Sequence, residues 1–151
     1  MNNKILILIC LLMGSLLLYG FEGKVFLGDY KAKNTEEEKI LLSLIGFEKA
    51  YNKHNLEGAF SYCTEAVKLR PCAEFVQVSK EDFVKRFPGQ FYIFPKYAFY
   101  NPEIKIHGDE ADLNLELDTG NWTFDYQIKM LKEKDNWLIR ETAWENFRII
   151  K

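Results

Sequence analysis

The stretch that decides the fold runs from Glu110 to Lys129, EADLNLELDTGNWTFDYQIK, where apolar and polar residues alternate on both sides of Thr119-Gly120. A period of two marks a strand with one buried face, and a Gly within the alternation marks the turn between two such strands. Pairing Asp118 with Asn121 and zipping backwards sets Leu117 opposite Trp122, Leu115 opposite Phe124, Leu113 opposite Tyr126 and Ala111 opposite Ile128. The same pairing opposes Glu116 to Thr123, Asn114 to Asp125, Asp112 to Gln127 and Glu110 to Lys129. One face of the hairpin is therefore apolar and the other wet, which predicts an antiparallel sheet covered on one side only.

Outward from this hairpin the strands continue. Tyr97 to His107 leads into a turn at Gly108-Asp109 that pairs Ile106 with Ala111, Ile104 with Leu113 and Lys105 with Asp112. A last turn at Lys134-Asp135 precedes a strand from Trp137 to Phe147 and pairs Met130 with Ile139, completing a meander of at least four antiparallel strands. Carried on without interruption, that register brings Glu141 to the apolar face. Either a bulge or an edge position turns it away, or Glu141 is a buried carboxylate.

Toward the N-terminus the period changes to that of helices. Thr35 opens Thr-Glu-Glu-Glu, a capping-box pattern in which Thr35 caps and Glu38 reaches back. Ile40, Leu44, Phe47 and Tyr51, widened by Leu41 and Ile45, form one apolar stripe of a helix ending near Lys53-His54. Asn55 can cap a shorter helix carrying Leu56, Ala59, Phe60 and Cys63 inward. Ala66 to Leu69 reads as extended up to Pro71, and Ser79 with Asp82 starts a third helical stretch through Phe83, Val84 and Phe87. Helices followed by a curved antiparallel sheet make an α+β domain of residues 35–151, with residues 22–34, mixed in Gly and charge, as a linker.

Residues 1–21 read as an address. Lys4 precedes an apolar run from Ile5 to Leu18, extended by Tyr19 to Phe21, the layout of a signal peptide or a membrane anchor formed by one hydrophobic helix. Some 17 helical residues rise roughly 25 Å, near the lower limit for spanning a hydrocarbon core. The junction SLLLYGFEGK has large residues where the small-x-small pattern of a cleavage site is expected, which favours an uncleaved anchor, with Lys4 held in the cytoplasm and the domain outside. The expected location is thus exported: membrane-anchored facing outward, or secreted or periplasmic if the segment is cleaved.

Composition narrows the functions. The 151 residues are 48% hydrophobic, enough for one packed domain, and a net charge of −2 without a basic stripe argues against nucleic-acid binding. His54 and His107, the only histidines, fall in predicted turns, and no His-x-x-His or Cys-x-x-Cys spacing exists, so neither a metal nor another cofactor is expected. Cys63 and Cys72 bridge only if the segment between them is a loop. An extended Ala66 to Leu69 holds them beyond the roughly 7 Å Cα limit of a disulfide.

The segment AYNKHNLEGAFSYCTEAVKLRP, residues 50–71, resembles the helix-turn-helix-strand opening of nuclear-transport-factor-two-like domains, and KDNWLI, residues 134–139, is similar to their last hairpin. This superfamily includes ketosteroid isomerases and SnoaL-like cyclases, and the resemblance implies a cone-shaped sheet roofed by about three helices. It also implies pairing of two copies through the sheet's convex face. The isomerase's catalytic positions are not kept: its base precedes a Pro where Arg70 stands before Pro71, its Tyr donor aligns with Phe47, and its partner Asp falls near Ile128. A guanidinium cannot serve as that base, nor a phenyl ring as a donor. Arg70 is either a solvated strand end or a clamp for an anion.

The pocket candidates are Phe47, Tyr51, Phe60, Arg70, Leu113, Leu115, Trp122, Phe124, Tyr126 and Glu141; the aromatic ones either fill the core or line an open cone. The expected function is a non-enzymatic, exported or membrane-tethered domain binding a protein partner or a small apolar ligand. The alternative is a small-molecule enzyme, dehydratase- or hydrolase-like, using Glu141 or Tyr126.

Overall fold

The computed structural model describes residues 23–70 and 76–149, without the side chains of Arg70, Arg86 and Phe87. The expected leader or anchor and Cys72 lie outside the described residues. The first helix, α1 (Thr35–Asn52), is capped one residue earlier than expected: Asn34 accepts the Glu37 N–H at 2.9 Å, and the Glu37 carboxylate accepts the Lys33 N–H at 2.8 Å. Asn-Thr-Glu-Glu-Glu satisfies the capping pattern in two frames, and Asn is the stronger cap. Asn55 caps α2 (Leu56–Phe60) by accepting the Gly58 N–H at 2.9 Å, and Ser79 accepts the Asp82 N–H at 3.2 Å at the start of α3 (Lys80–Arg86).

Six strands form one curved sheet: β1 (Cys63–Arg70), β2 (Val76–Ser79), β3 (Ala98–His107), β4 (Glu110–Asp118), β5 (Trp122–Glu133) and β6 (Asn136–Ile149). Their spatial order is β2-β1-β6-β5-β4-β3. The contact of β1 with β6 is parallel, so the sheet is mixed, and β2 is a strand that the sequence reading did not contain.

The β3–β4 register is the expected one, with Ile106 opposite Ala111 and Ile104 opposite Leu113. The β4–β5 register is displaced by two residues: Asp118 pairs with Thr123, Leu117 with Phe124, Leu115 with Tyr126 and Leu113 with Ile128. The cause is a wider connection. The Thr119 N–H donates to the Trp122 carbonyl at 2.9 Å, and the Gly120 N–H to Asp118 Oδ1 at 2.6 Å, with Gly120 at φ +92°. A slip of two keeps each side chain on its face, so the apolar and wet faces stand as predicted.

At the last hairpin Met130 pairs with Ile139 and Lys129 with Glu141, leaving Arg140 as the extra residue of a bulge. Glu141 therefore lies on the outer face, its carboxylate 3.5 Å from Lys129 Nζ, and not on the apolar one. The helices cover the inner face. Ile40 and Leu44 of α1, both fully buried, meet an inner face that includes Leu113, Ile128, Met130 and Ile139; burial of each such side chain contributes about 1.5–3 kcal/mol. The N-terminus of α1 is tied to the last hairpin by Glu36, which accepts from Trp137 Nε1 at 2.9 Å and pairs with Lys132 at 2.9 Å.

Residues 24–30, expected as linker, pack on the domain. Val25 exchanges two 2.9 Å hydrogen bonds with Asn101, Phe26 bridges to Tyr100, and Leu27 is buried. This short pairing covers part of the free edge of β3.

Candidate functional site

Between the helices and the sheet lies a cavity of about 220 Å³. Phe47 of α1 and Phe83 of α3 roof it, and β1 and β2 close one side with Cys63, Val67, Leu69, Val76 and Val78. Tyr97, Tyr126, Ile139, Thr142 and Trp144 form the rest of the wall, with Gln90. Strand alternation explains the membership: Val67 and Leu69 share a face of β1, as do Val76 and Val78 on β2, and the Arg140 bulge turns Thr142 and Trp144 inward on β6.

The polar groups of this wall are all neutral. Burial pushes the Cys63 thiol up to about 12 and the Tyr126 phenol up to about 12, the latter against a lowering contribution from the Thr142 hydroxyl. Burial also raises Tyr97 well above the ordinary phenol value, with Tyr126 and Tyr51 adding to the effect. These groups hold their protons at neutral pH and present donors, not bases or nucleophiles. Thr142 Oγ1 is buried and completes no hydrogen bond of regular geometry. No carboxylate, imidazole, ammonium or guanidinium lines the cavity among the described residues.

Of the ten candidates read from the sequence, the cavity brings together Phe47 and Tyr126. Tyr51 stands behind the wall, stacked on Tyr97 at 4.0 Å and donating to the Phe94 carbonyl at 3.0 Å. Phe60 backs Phe83 at 5.4 Å, and Phe124 packs on Trp144 at 5.9 Å. Leu113 and Leu115 are core. Trp122 is half-buried at the hairpin end against Phe147, 5.6 Å between ring centres. Arg70 ends β1 beside Ala143, with its side chain outside the description, and Glu141 faces away from the cavity. Ile128 is buried among core residues. Cys63, Val67, Tyr97, Thr142 and Trp144 were missed as wall residues. The alternation of Val67 and Leu69 was a usable signal for β1, and the bulge that turns Thr142 inward had one too: the clash of Glu141 with the apolar face in an uninterrupted register.

Other features offer less. A wider depression of about 760 Å³ lies open between α1 and the β5–β6 turn, and its rim charges Lys39 and Asp135 pair with each other at 2.6 Å. Both histidines are exposed, with His54 stacked on Phe91 at 4.0 Å, and no group of three or more metal-ligating side chains converges among the described residues. Cys63 is a free thiol. Among the described residues no helix is long and apolar enough to cross a membrane.

No protein-family model and no curated protein matches the sequence. Solved structures are similar in fold. A Nostoc punctiforme protein of unknown function with a cystatin-like fold superposes with a TM-score of 0.64 at 15% identity, over 77% of this chain and 94% of that one. An NTF2-like protein of unknown function from Shewanella baltica gives 0.60 at 13%, over 79% and 98%. A putative scytalone dehydratase from Novosphingobium aromaticivorans gives 0.59 at 11%, over 77% and 88%. With three helices laid on one face of a six-stranded curved sheet, the domain has the nuclear-transport-factor-two-like fold.

Proposed function

We propose that the domain is a non-enzymatic binding module, exported and tethered to a membrane by its N-terminal apolar run, whose cavity takes a small uncharged apolar ligand. The observation that carries this reading is the cavity itself: large enough for a ligand, mostly apolar, and furnished, among the described residues, only with neutral donors and acceptors. A cavity of about 150 Å³ lined by aliphatic and aromatic groups accepts benzene, so one of about 220 Å³ suits a one- or two-ring molecule. Of the two kinds of binding expected, the ligand is better supported than a protein partner or second copy on the sheet's outer face. There a row of alternating charge, Lys105, Asp112, Lys129, Glu141 and Lys68, crosses five strands in register and solvates that face.

The test uses the full chain in mild detergent, with 2-naphthol and 2-naphthoate as probes. The neutral probe raises the melting temperature and the anionic one does not, and Val67→Phe, which fills the cavity, removes the response while preserving the circular-dichroism spectrum. A melting temperature unmoved by saturating 2-naphthol, or moved equally in Val67→Phe, overturns the reading. Flotation of the full chain with phosphatidylcholine vesicles tests the tether.

The dehydratase-like alternative draws on the solved neighbours described as putative dehydratases. With Glu141 facing outward, its remaining residue is Tyr126 as a proton donor, without a base among the described wall residues.

A further inference from the structure

Single exposed apolar side chains are ordinary, but a cluster is not. Among the described residues eight large apolar side chains are exposed, and six of them, Val25, Phe26, Tyr92, Ile93, Phe147 and Ile149, gather at one end of the sheet. The register places them there. Phe26 bridges to Tyr100, which pairs with Glu116 two residues before the end of β4. The adjoining β4–β5 connection holds the segment of Tyr92 and Ile93, because Asn121 Nδ2 donates to the Ile93 carbonyl at 3.3 Å. Ile149 pairs with Trp122, whose indole packs on Phe147. The turns at Gly108-Asp109 and Lys134-Asp135 lie at the other end.

The charges among these side chains are matched. Lys24 and Arg148 pair with Glu116, Arg148 also with Asp125 at 2.9 Å, and Lys96 with Asp118 at 3.2 Å. A surface of aromatic and aliphatic groups with locally neutralised charge suits the boundary between lipid headgroups and acyl chains, where Trp and Tyr concentrate. The route of the chain selects this occupant over a protein. The apolar run ends at Phe21, and Val25 is already fixed on Asn101, so four Cα steps, at most about 14 Å, separate the two.

We propose that this end of the domain is a lipid-facing surface, with Val25, Phe26, Trp122, Phe147 and Ile149 set against the membrane that holds the N-terminal run. The proposal rests on the tethered reading above and adds to it a fixed orientation, with the Gly108 and Lys134 turns pointing away from the bilayer. Because the local charges are paired, contact depends neither on anionic lipid nor on salt.

The experiment reconstitutes the full chain in phosphatidylcholine vesicles whose acyl chains carry bromine, a short-range quencher of tryptophan. The chain holds three tryptophans, of which Trp137 is buried, Trp144 belongs to the cavity wall and Trp122 lies at the proposed surface. Brominated lipid lowers total emission by roughly a third, the share of one tryptophan in three. Trp122→Phe abolishes that loss, and adding Ile149→Trp to it restores the loss. Raised salt leaves all three results unchanged. A chain that floats with the vesicles but shows no quenching, or equal quenching in Trp122→Phe, overturns the surface while sparing the tether. A chain that does not float overturns both.

Discussion

Replacing Thr142 by Val tests the chemistry of the cavity most directly. The Thr142 hydroxyl is buried on the inner face of β6 with Oγ1 lacking a regular hydrogen bond, and a buried polar group left in that state costs about 1–3 kcal/mol. Val has the same branched shape, fits a strand at least as well, and exchanges the hydroxyl for a methyl that meets Leu69, its neighbour across the parallel contact with β1. Since the Tyr126 phenol offers the hydroxyl partial compensation, the lower end of that range applies, and Thr142→Val stabilises the ligand-free protein by about 1 kcal/mol. For a domain of this size that is a rise in melting temperature of roughly 3–5 °C. Urea unfolding followed by circular dichroism reads the free energy and calorimetry the temperature. The stabilised variant also binds 2-naphthol more weakly than the wild type, because the group removed is the one left free for the ligand's oxygen. A Thr142→Val protein less stable than wild type refutes the reasoning, since it means that the hydroxyl already has a full partner in the folded state.

Other outcomes follow from other parts of the fold. Glu36 is held at about 2, below its ordinary 4.5, chiefly by its hydrogen bond with Lys132 and then by that with Trp137, so its stabilising effect is present above pH 4.5 and is lost as pH falls from there toward 2. Glu36→Gln flattens the acid limb of a melting-temperature profile across that window and leaves its shape near neutrality unchanged. Gly46→Ala gains less than the roughly 1 kcal/mol of its helix propensity, because a Cβ there falls 2.3 Å from the tip of the half-buried Tyr62 ring and must displace it; urea midpoints show the shortfall, and in a Tyr62→Leu background the full gain returns. Cys63, buried and protonated, resists alkylation by iodoacetamide at pH 7.5 until urea unfolds the domain, as peptide mass spectrometry reads site by site.

What could be read from the sequence was whatever depends on parity. The alternation from Ala111 to Ile128 assigned the two faces correctly even though the β4–β5 register is off by two, because a slip of two returns each side chain to its own side. The stripe Ile40, Leu44, Phe47 and Tyr51 predicted the buried face of α1 for the same kind of reason: the period survives an error in phase at the cap. Of the features that hang on one inserted or displaced residue, the bulge before Glu141 was legible from the conflict of its register with the apolar face, and the others were not. The cap frame at Asn34, the β4–β5 connection and the parallel seam between β1 and β6 each have sequence-level competitors of nearly equal merit, and the tertiary contacts choose among them. The candidate site fared worse than the fold. Ring size and apolarity picked out Tyr51, Phe60 and Phe124, which serve as packing behind the wall, whereas the wall itself depends on β1, β2 and β6 coming together from distant parts of the chain.

The Arg140 bulge connects that failure to the functional reading. Without it, the pairing of Met130 with Ile139 continues as Ile128 with Glu141, and Ile128 is fully buried on the inner face. Glu141 would then point among Tyr126, Ile128 and Ile139, where an ionised carboxylate has no cation within the described wall and its proton would be retained well above the ordinary range. Such a group, raised toward neutrality by burial and standing beside a phenol donor, is what acid–base chemistry in a closed pocket requires. The extra residue instead sends Glu141 outward to Lys129, brings Thr142 inward with a hydroxyl to spare, and leaves the cavity without an ionisable base among the described residues. One residue in β6 thus separates two linings on the same sheet, one that buries a carboxylate beside a phenol and one whose described polar groups are all neutral, and this chain carries the second.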